Sequence, residues 1–355
     1  MPSRAPHPPP VPAPVPLDAR LVAPGPPRPG AERADRLADG LWVLRLPLRY
    51  PTTSAINCFL LADARGGGWT LVDSGSGLDG GWEALRGALR LAGVEPAAVG
   101  TLVLTHPHPD HSTLAAELVD RLGCRVVRHA GPTSTMDRLR DPRLPLARRE
   151  AAARREGVGE DELEVLTDVP IAGDGRQPRP AADHVLHPGD ALASASGTWH
   201  AVPVPGHSPS QMALYEPTRR WLIAADAAYA GVRPYLEWGT SATPLADYRA
   251  SLARVRALAP ELLLPGHGRP DRDPAARLAG AEATLAETVA WVRGALTEEP
   301  RTAYALTCAL AGDEPNPDER GSVLSVALCV LEELVGRHEA AQEIGADGRR
   351  RFARA

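Results

Sequence analysis

Thr105-His106-Pro107-His108-Pro109-Asp110-His111 follows directly on the apolar run Val99–Leu104. Three imidazoles and one carboxylate fall within six consecutive positions, 106 to 111. Neutral imidazole nitrogens and carboxylate oxygens are the usual ligands of zinc and similar borderline cations. Each Pro pushes the residue before it, His106 and then His108, toward extended backbone. Side chains two apart in extended chain share a face, so His106 and His108 can clamp one ion together. Asp110 and His111 stand where the chain turns into a helix and can point at a second ion beside the first. The plain alternative is a His-rich loop that holds no metal.

Four further segments extend this pattern in order. Trp69-Thr-Leu-Val-Asp73-Ser-Gly75 lies upstream. Downstream come Val204-Pro-Gly206-His207-Ser-Pro209, Trp221-Leu-Ile-Ala-Ala-Asp226 and Leu262-Leu-Leu-Pro-Gly266-His267-Gly268. Together with the histidine motif they resemble the metallo-β-lactamase-fold hydrolase superfamily over roughly residues 40–270. The resemblance implies an αββα sandwich and a two-metal site. It implies that His106, His108 and His207 hold one ion, that Asp110, His111 and His267 hold the other, and that Asp226 bridges them. Two such ions about 3.5–4 Å apart share a hydroxide and make it nucleophilic near neutral pH. By the same resemblance Asp110 also handles protons. Zn is the expected metal, with Mn or Fe compatible with the same ligands. Asp73 is expected behind the ligands, orienting one His through its other ring nitrogen, or else as a plain strand-end turn residue. One departure is Ser112-Thr113-Leu114, where the family usually has a small Gly-Gly or Gly-Ala pair. Ser112 is expected to cap the helix that follows. His7, His129, His184, His187, His200 and His338 have no metal-ligand spacing, although His129, at the end of an apolar strand, can border the site.

The rest of the composition is consistent with an intracellular enzyme. A chain of 355 residues is long enough for one large and one small domain. Cys58, Cys124, Cys308 and Cys329 are scattered, and the first, second and fourth lie in apolar runs, as buried free thiols do. No apolar stretch reaches the roughly 18 residues of a membrane span. The N-terminus has no signal-peptide-like segment. The expectation is a cytoplasmic protein with no membrane contact. Every basic side chain other than His is Arg, so any recognition of carboxylate or phosphate falls to Arg. A net charge of −5 gives no global attraction for nucleic acid.

Residues 1–35 form a Pro-rich tail expected to be disordered. Residues 36–272 are expected to form the metallo-hydrolase domain. Leu41–Leu46 and Ile56–Leu61 open it as paired strands, and strand and helix signals then alternate, as in layered α/β folds. Residues 131–180 break the rhythm. Their Arg and Glu residues read as one or two inserted exposed helices, either solvated or bordering the site with Met136 and nearby Arg as substrate contacts. Tyr229, Arg233, Tyr235 and Trp238 follow the bridging Asp. They suit a pocket wall for an organic substrate, or they pack the loop onto the domain.

Residues 273–355 read as three helices and a terminal hairpin, Glu339–Ile344 with Arg349–Phe352. They resemble the small winged-helix module of one branch of the superfamily, a branch with RNA-cleaving and acyl-thioesterase members. The helix around Val323–Gly336 offers mainly Ser322, Ser325, Glu332 and Glu333 as polar side chains, which suits packing or a homodimer better than nucleic-acid contact. The favoured reaction is hydrolysis of an ester or thioester of a small organic acid, carried on coenzyme A or an acyl carrier protein. Cleavage of single-stranded RNA and a non-enzymatic winged-helix regulator are the competing readings. A lactonase and a glutathione-thioester hydrolase rank lower.

Overall fold

The computed structural model describes residues 32–48, 54–77, 80–129, 150–167, 180–228, 233–239, 241–311 and 317–355. The first sheet has seven strands in sequence order. They are β1 (Arg33–Ala38), β2 (Leu41–Pro47), β3 (Ala55–Ala62), β4 (Trp69–Val72), β5 (Val99–Leu104), β6 (Arg125–His129) and β7 (His184–Leu186). The pairs from β1 to β4 are antiparallel and those from β4 to β7 parallel. Parallel neighbours need a crossover, and helices Gly81–Leu91 and Ala115–Leu122 supply it before β5 and β6.

The second sheet contains β8 (Ala191–Ser194), β9 (Gly197–Pro203), β10 (Met212–Glu216), β11 (Trp221–Ala225) and β12 (Leu262–Pro265), ordered β12-β11-β10-β9-β8. Its one parallel pair, β11 with β12, is bridged by helix Pro244–Ala257.

Side chains two apart along a strand share a face, and here both faces are apolar. Val43, Phe59, Leu61, Val72 and Val103 of the first sheet meet Trp199, Leu214, Ile223 and Leu264 of the second in one buried layer. The alternate residues Leu44, Ile56, Leu60 and Leu102 pack outward on Leu85, Leu89 and Leu118 of the crossover helices. On the far side, Leu222 and Leu263 pack on Tyr248, Leu252 and Leu285. Helix, sheet, sheet, helix is therefore the layer order, that of a metallo-β-lactamase fold.

Helices Pro274–Ala295, Ala303–Ala311 and Pro317–Gly336 follow, with a sheet of β13 (Arg301–Thr302), β14 (Ala340–Ile344) and β15 (Arg350–Arg354) in the order β13-β15-β14. Leu328, Leu331 and Phe352 belong to the same buried cluster as Leu222 and Leu263. The C-terminal segment is thus welded to the second sheet. Residues of the insertion join it there: Val158 and Leu163 are in that core, and buried Glu156 accepts from Arg350 Nε at 3.0 Å.

Several sequence expectations shift. β1 begins at Arg33, inside the stretch read as a disordered tail. Where one helix is expected to follow Ser112 there are two helices, Pro109–Ser112 and Ala115–Leu122. Ser112 is not the cap of the second; Leu114 holds that position with no side-chain cap bond. The Ser112 hydroxyl is committed backward, donating to the carbonyls of His108 at 2.8 Å and Pro107 at 3.2 Å. Residues 1–31, Met136, Arg138, Arg140 and Tyr229 lie outside the described residues. All four cysteines are free thiols, three of them buried. Among the described residues no helix is long and apolar enough to cross a membrane.

Trp199, fully buried between the sheets, tests this layering. Trp199→Ala is expected to cost about 3–5 kcal/mol through lost contacts and a residual cavity. Leu91→Ala, at a side chain 59% exposed, should stay within about 0.5 kcal/mol. Urea denaturation followed by circular dichroism measures both, and equal losses would contradict the inter-sheet core.

Candidate metal centre

The C-terminal ends of β4, β5, β9, β11 and β12 converge at one edge of the sandwich, and each is followed by a quoted motif residue. Two of these ends carry non-glycine residues with left-handed backbone, Asp73 with φ of 63° and Ala225 with φ of 47°. The second accompanies a register slip between β11 and β12 and aims Asp226 into the cluster. Such conformations cost roughly 1–3 kcal/mol each and persist where surrounding structure imposes them. Gly266 is required by space: a Cβ there would stand 2.3 Å from Asp226 Oδ1. At Gly206, with φ of +126°, a Cβ would meet the Tyr248 backbone at 2.5 Å.

Three groups that could hold a metal ion form, each with its donor atoms within 4.8 Å of one another: His106, His108 and His207; His106, His111 and Asp226; Asp110, His111 and His267. Asp226 sits centrally. Its Oδ2 lies 3.3 Å from His207 Nε2 and 3.5 Å from His267 Nε2, and its Oδ1 lies 3.4 Å from His111 Nε2. Asp110 Oδ2 is 3.1 Å from His267 Nε2. Among the described residues, His111 Nε2 is buried and finds only the carboxylates of Asp226 and Asp110, at 3.4 and 3.6 Å. An inward-facing imidazole nitrogen left this way, among carboxylates, fits a divalent cation.

The ring orientations are set from outside the cluster. His111 Nδ1 donates to Asp73 Oδ2 at 2.7 Å. His106 Nδ1 is 3.0 Å from Thr105 Oγ1, whose own proton goes to Asp73 Oδ2 at 2.8 Å. His207 Nδ1 donates to the Tyr235 carbonyl at 3.0 Å, and His267 Nδ1 to the Ala55 carbonyl at 2.8 Å. Each of these four rings turns Nε2 inward. His108 is the exception. Its Nδ1 faces His106 Nε2 at 3.1 Å, and its Nε2 lies 3.7 Å from Glu237 Oε2. Partners of this kind fix tautomer and aim in metal sites.

Sequence reasoning missed three of these supports. Thr105 was visible beside the motif, but its role needs Asp73 in space. Glu237 stood as an acid within the aromatic loop. Buried Asn57 donates through Nδ2 to the carbonyls of Pro265 and Gly268, both at 2.9 Å, and so holds the turn that carries His267. Of the expected wall residues, Tyr235 reaches the cluster, its ring centre 5.5 Å from that of His108 and 5.6 Å from that of His207. Arg233 instead stacks over Trp291 at 3.8 Å, and Trp238 Nε1 donates to Glu332 at 3.0 Å. His129 lines a small cavity with Arg128, behind His106 and Pro107.

The electrostatics separate two kinds of imidazole. Burial, with help from neighbouring rings, holds His106 well below the ordinary imidazole range and pushes His207 down to about 3. Burial opposes charge at His111 and His267 too, but Asp226 and Asp110 outweigh it. His111 is held well above the ordinary range and His267 is pushed up to about 10. Asp110, despite burial, is drawn down to about 2 by His111 and His267.

The sequence profile described as the Metallo-beta-lactamase superfamily matches residues 51–267. A probable metallo-hydrolase of Bacillus subtilis is 25% identical over 277 residues, which is 73% of this chain and 82% of the relative. A metallo-beta-lactamase family protein of Thermus thermophilus superposes with a TM-score of 0.77 at 26% identity, covering 90% of this chain and 100% of that one. A beta-lactamase domain protein of Burkholderia ambifaria gives 0.77 at 28%, covering 94% and 97%.

The pKa pattern sets the proton balance of metal uptake. His267, raised from 6.5 to about 10, stabilises the metal-free fold fully below pH 6.5, and this contribution fades as pH rises through about 10. A cation at the Asp110–His111–His267 group must displace the Nε2 protons, so its uptake near pH 7 releases protons and tightens with pH. Uptake at the His106–His108–His207 group should release far fewer. Calorimetry in buffers of different ionisation enthalpy measures this, and equal proton release for both ions would contradict it.

Proposed function

This chain belongs to the metallo-β-lactamase superfamily and is a metal-dependent hydrolase; from that premise we propose that it holds two divalent ions and cleaves an ester or thioester of a small organic acid. His106, His108 and His207 hold one ion, and Asp110, His111 and His267 the other. Asp226 reaches both, and Asp73 stands behind His111. The expected metal is Zn, with Mn or Fe suited to the same donors. When bound, such a pair supplies a nucleophile near neutral pH and polarises the oxygen of the bond under attack.

The protein's own groups do the rest. Asp110 lies next to both His111 and His267, its Oδ2 3.6 Å and 3.1 Å from their Nε2 atoms, placed to take a proton and return it to the leaving group. The Tyr235 ring, edge-on to His108 and His207, is the apolar wall for the acyl group. Glu237 adds negative charge on the same side. That juxtaposition is the observation that carries the substrate class: it suits a neutral acyl group and repels a phosphate backbone. The described arginines of the insertion do not offset it, since Arg154 pairs with Glu160 and Glu150, and Arg155 with Glu156. Coenzyme A or an acyl carrier protein is the expected acyl carrier, and the protein is expected to work in the cytoplasm.

Asp110→Asn keeps side-chain volume and should leave the circular dichroism spectrum unchanged. Hydrolysis should fall by at least about two orders of magnitude, the scale of a lost proton-handling group. Wild-type turnover in this variant, measured on any accepted substrate, would remove Asp110 from the chemistry.

The substrate class is tested by assaying metal-loaded protein against acyl-thioesters, simple esters and single-stranded RNA. Tyr235→Leu removes the ring and keeps the carbonyl that holds His207. It should raise KM or lower kcat for an acyl-thioester, and raising salt from about 50 to 200 mM should change little. RNA binding would instead weaken steeply with salt as counterions are released. Steep salt dependence with tolerance of Tyr235→Leu would favour the nuclease reading.

A further inference from the structure

The strap Arg233–Gly239 runs between the metal centre and the C-terminal helix Pro317–Gly336, and its two edges do different things. In extended chain, successive residues direct their backbone groups and side chains to opposite sides. The even residues turn to the helix. The Ser325 hydroxyl donates to the Leu236 carbonyl at 2.7 Å and accepts from the Trp238 N–H at 3.0 Å. Glu332 Oε1 accepts from Trp238 Nε1 at 3.0 Å and from Arg350 at 2.9 Å. Leu236 is fully buried. The odd residues turn to the histidines. The Tyr235 carbonyl accepts from His207 Nδ1, the Glu237 N–H donates to the His207 carbonyl at 3.3 Å, and the Glu237 carboxylate faces His108.

Building on the two-metal reading above, we infer that Ser325 and Glu332 are positioning residues for the ion held by His106, His108 and His207. They act through the strap. By fixing its even edge they fix the Tyr235 carbonyl that aims His207 and the Glu237 carboxylate that faces His108. The polar side of this helix, which reads in the sequence as a packing or homodimer surface, is a clamp on the metal centre. Ser325, Glu332 and Glu333 all point at the strap or at helix Pro244–Ala257, the last through Arg249 at 2.6 Å. The second ligand group has different anchors, Asp73 and the Ala55 carbonyl, and does not depend on the strap.

The test is stepwise zinc removal from the full-length, zinc-loaded protein by a graded chelator, with retained zinc measured at each step. Loss of a supporting hydrogen bond lowers metal affinity by about 10–100-fold, and through one intermediary about 10-fold is expected. Ser325→Ala should release the first zinc at about 10-fold lower chelator concentration while the second is retained as in wild type. Ser325→Thr, which restores the hydroxyl, should recover the wild-type curve, and Trp238→Phe should reproduce the Ser325→Ala curve. Arg249→Gln loosens the same helix without touching the strap and should leave both steps unchanged. Circular dichroism checks folding of each variant. A wild-type curve for both Ser325→Ala and Trp238→Phe overturns the inference. So does a parallel shift of both steps shared with Arg249→Gln. Wild-type protein that retains a single zinc would defeat the two-metal reading; the strap would then stand or fall on whether Ser325→Ala loosens that one ion.

Discussion

The Asp73 carboxylate accepts hydrogen bonds from the backbone N–H and hydroxyl of Thr105 and from the His111 ring, and the aim of two inward-facing imidazoles depends on those bonds. Through His111 it acts directly. Through the Thr105 hydroxyl it acts on His106. The carboxylate can do this because β4 and β5 are parallel neighbours, which brings their C-terminal ends side by side. The left-handed backbone at Asp73 ends the strand there and turns the side chain under the histidine motif. A single buried acid thus joins the sheet that carries the motif to the rings that define the cluster.

Collecting five imidazoles and several carboxylates at a buried sheet edge is costly unless each polar atom has a partner. The fold meets this from the outside inward. Side-chain and carbonyl acceptors take the Nδ1 protons of His106, His111, His207 and His267, so their Nε2 nitrogens all face the centre. There the raised proton affinity of His111 and His267, caused by Asp226 and Asp110, puts positive charge where the fold family carries cations. Protons on His111 and His267 would balance the Asp226 and Asp110 carboxylates in place of metal. The C-terminal segment contributes to the same end, because the strap it grips carries one of the Nδ1 acceptors.

Much of this arrangement is legible in the sequence for a local reason. Strands buried on both faces read as apolar runs, and a candidate ligand at the end of such a run is exposed to recognition by residue type alone. That is why His106, His108, Asp110, His111, His207, Asp226 and His267 can be picked out by their positions after Val99–Leu104, Val204, Trp221–Ala225 and Leu262–Pro265. The supports are not local. Asn57 acts on a turn more than two hundred residues away, and Tyr235 acts on His207 through a backbone carbonyl that carries no residue signature. Ser112 resembles a helix cap in sequence, yet its hydroxyl serves the turn before it. Trp238 and Arg233 have the composition of a pocket wall, but an indole N–H and a guanidinium serve equally well to dock one helix on another. Short β7 and β8 carry too few apolar residues to show a period.

The central claim is that outer acceptors dictate which nitrogen each histidine offers to a metal. A crystal structure of metal-loaded protein with diffraction recorded at the metal absorption edge tests it most directly. The account predicts two anomalous peaks flanking Asp226, with His106, His111, His207 and His267 coordinating through Nε2 and His108 through Nδ1. A single peak, or rings turned so that Nδ1 of His111 or His207 meets the metal while Asp73 or the Tyr235 carbonyl stands free, would contradict it.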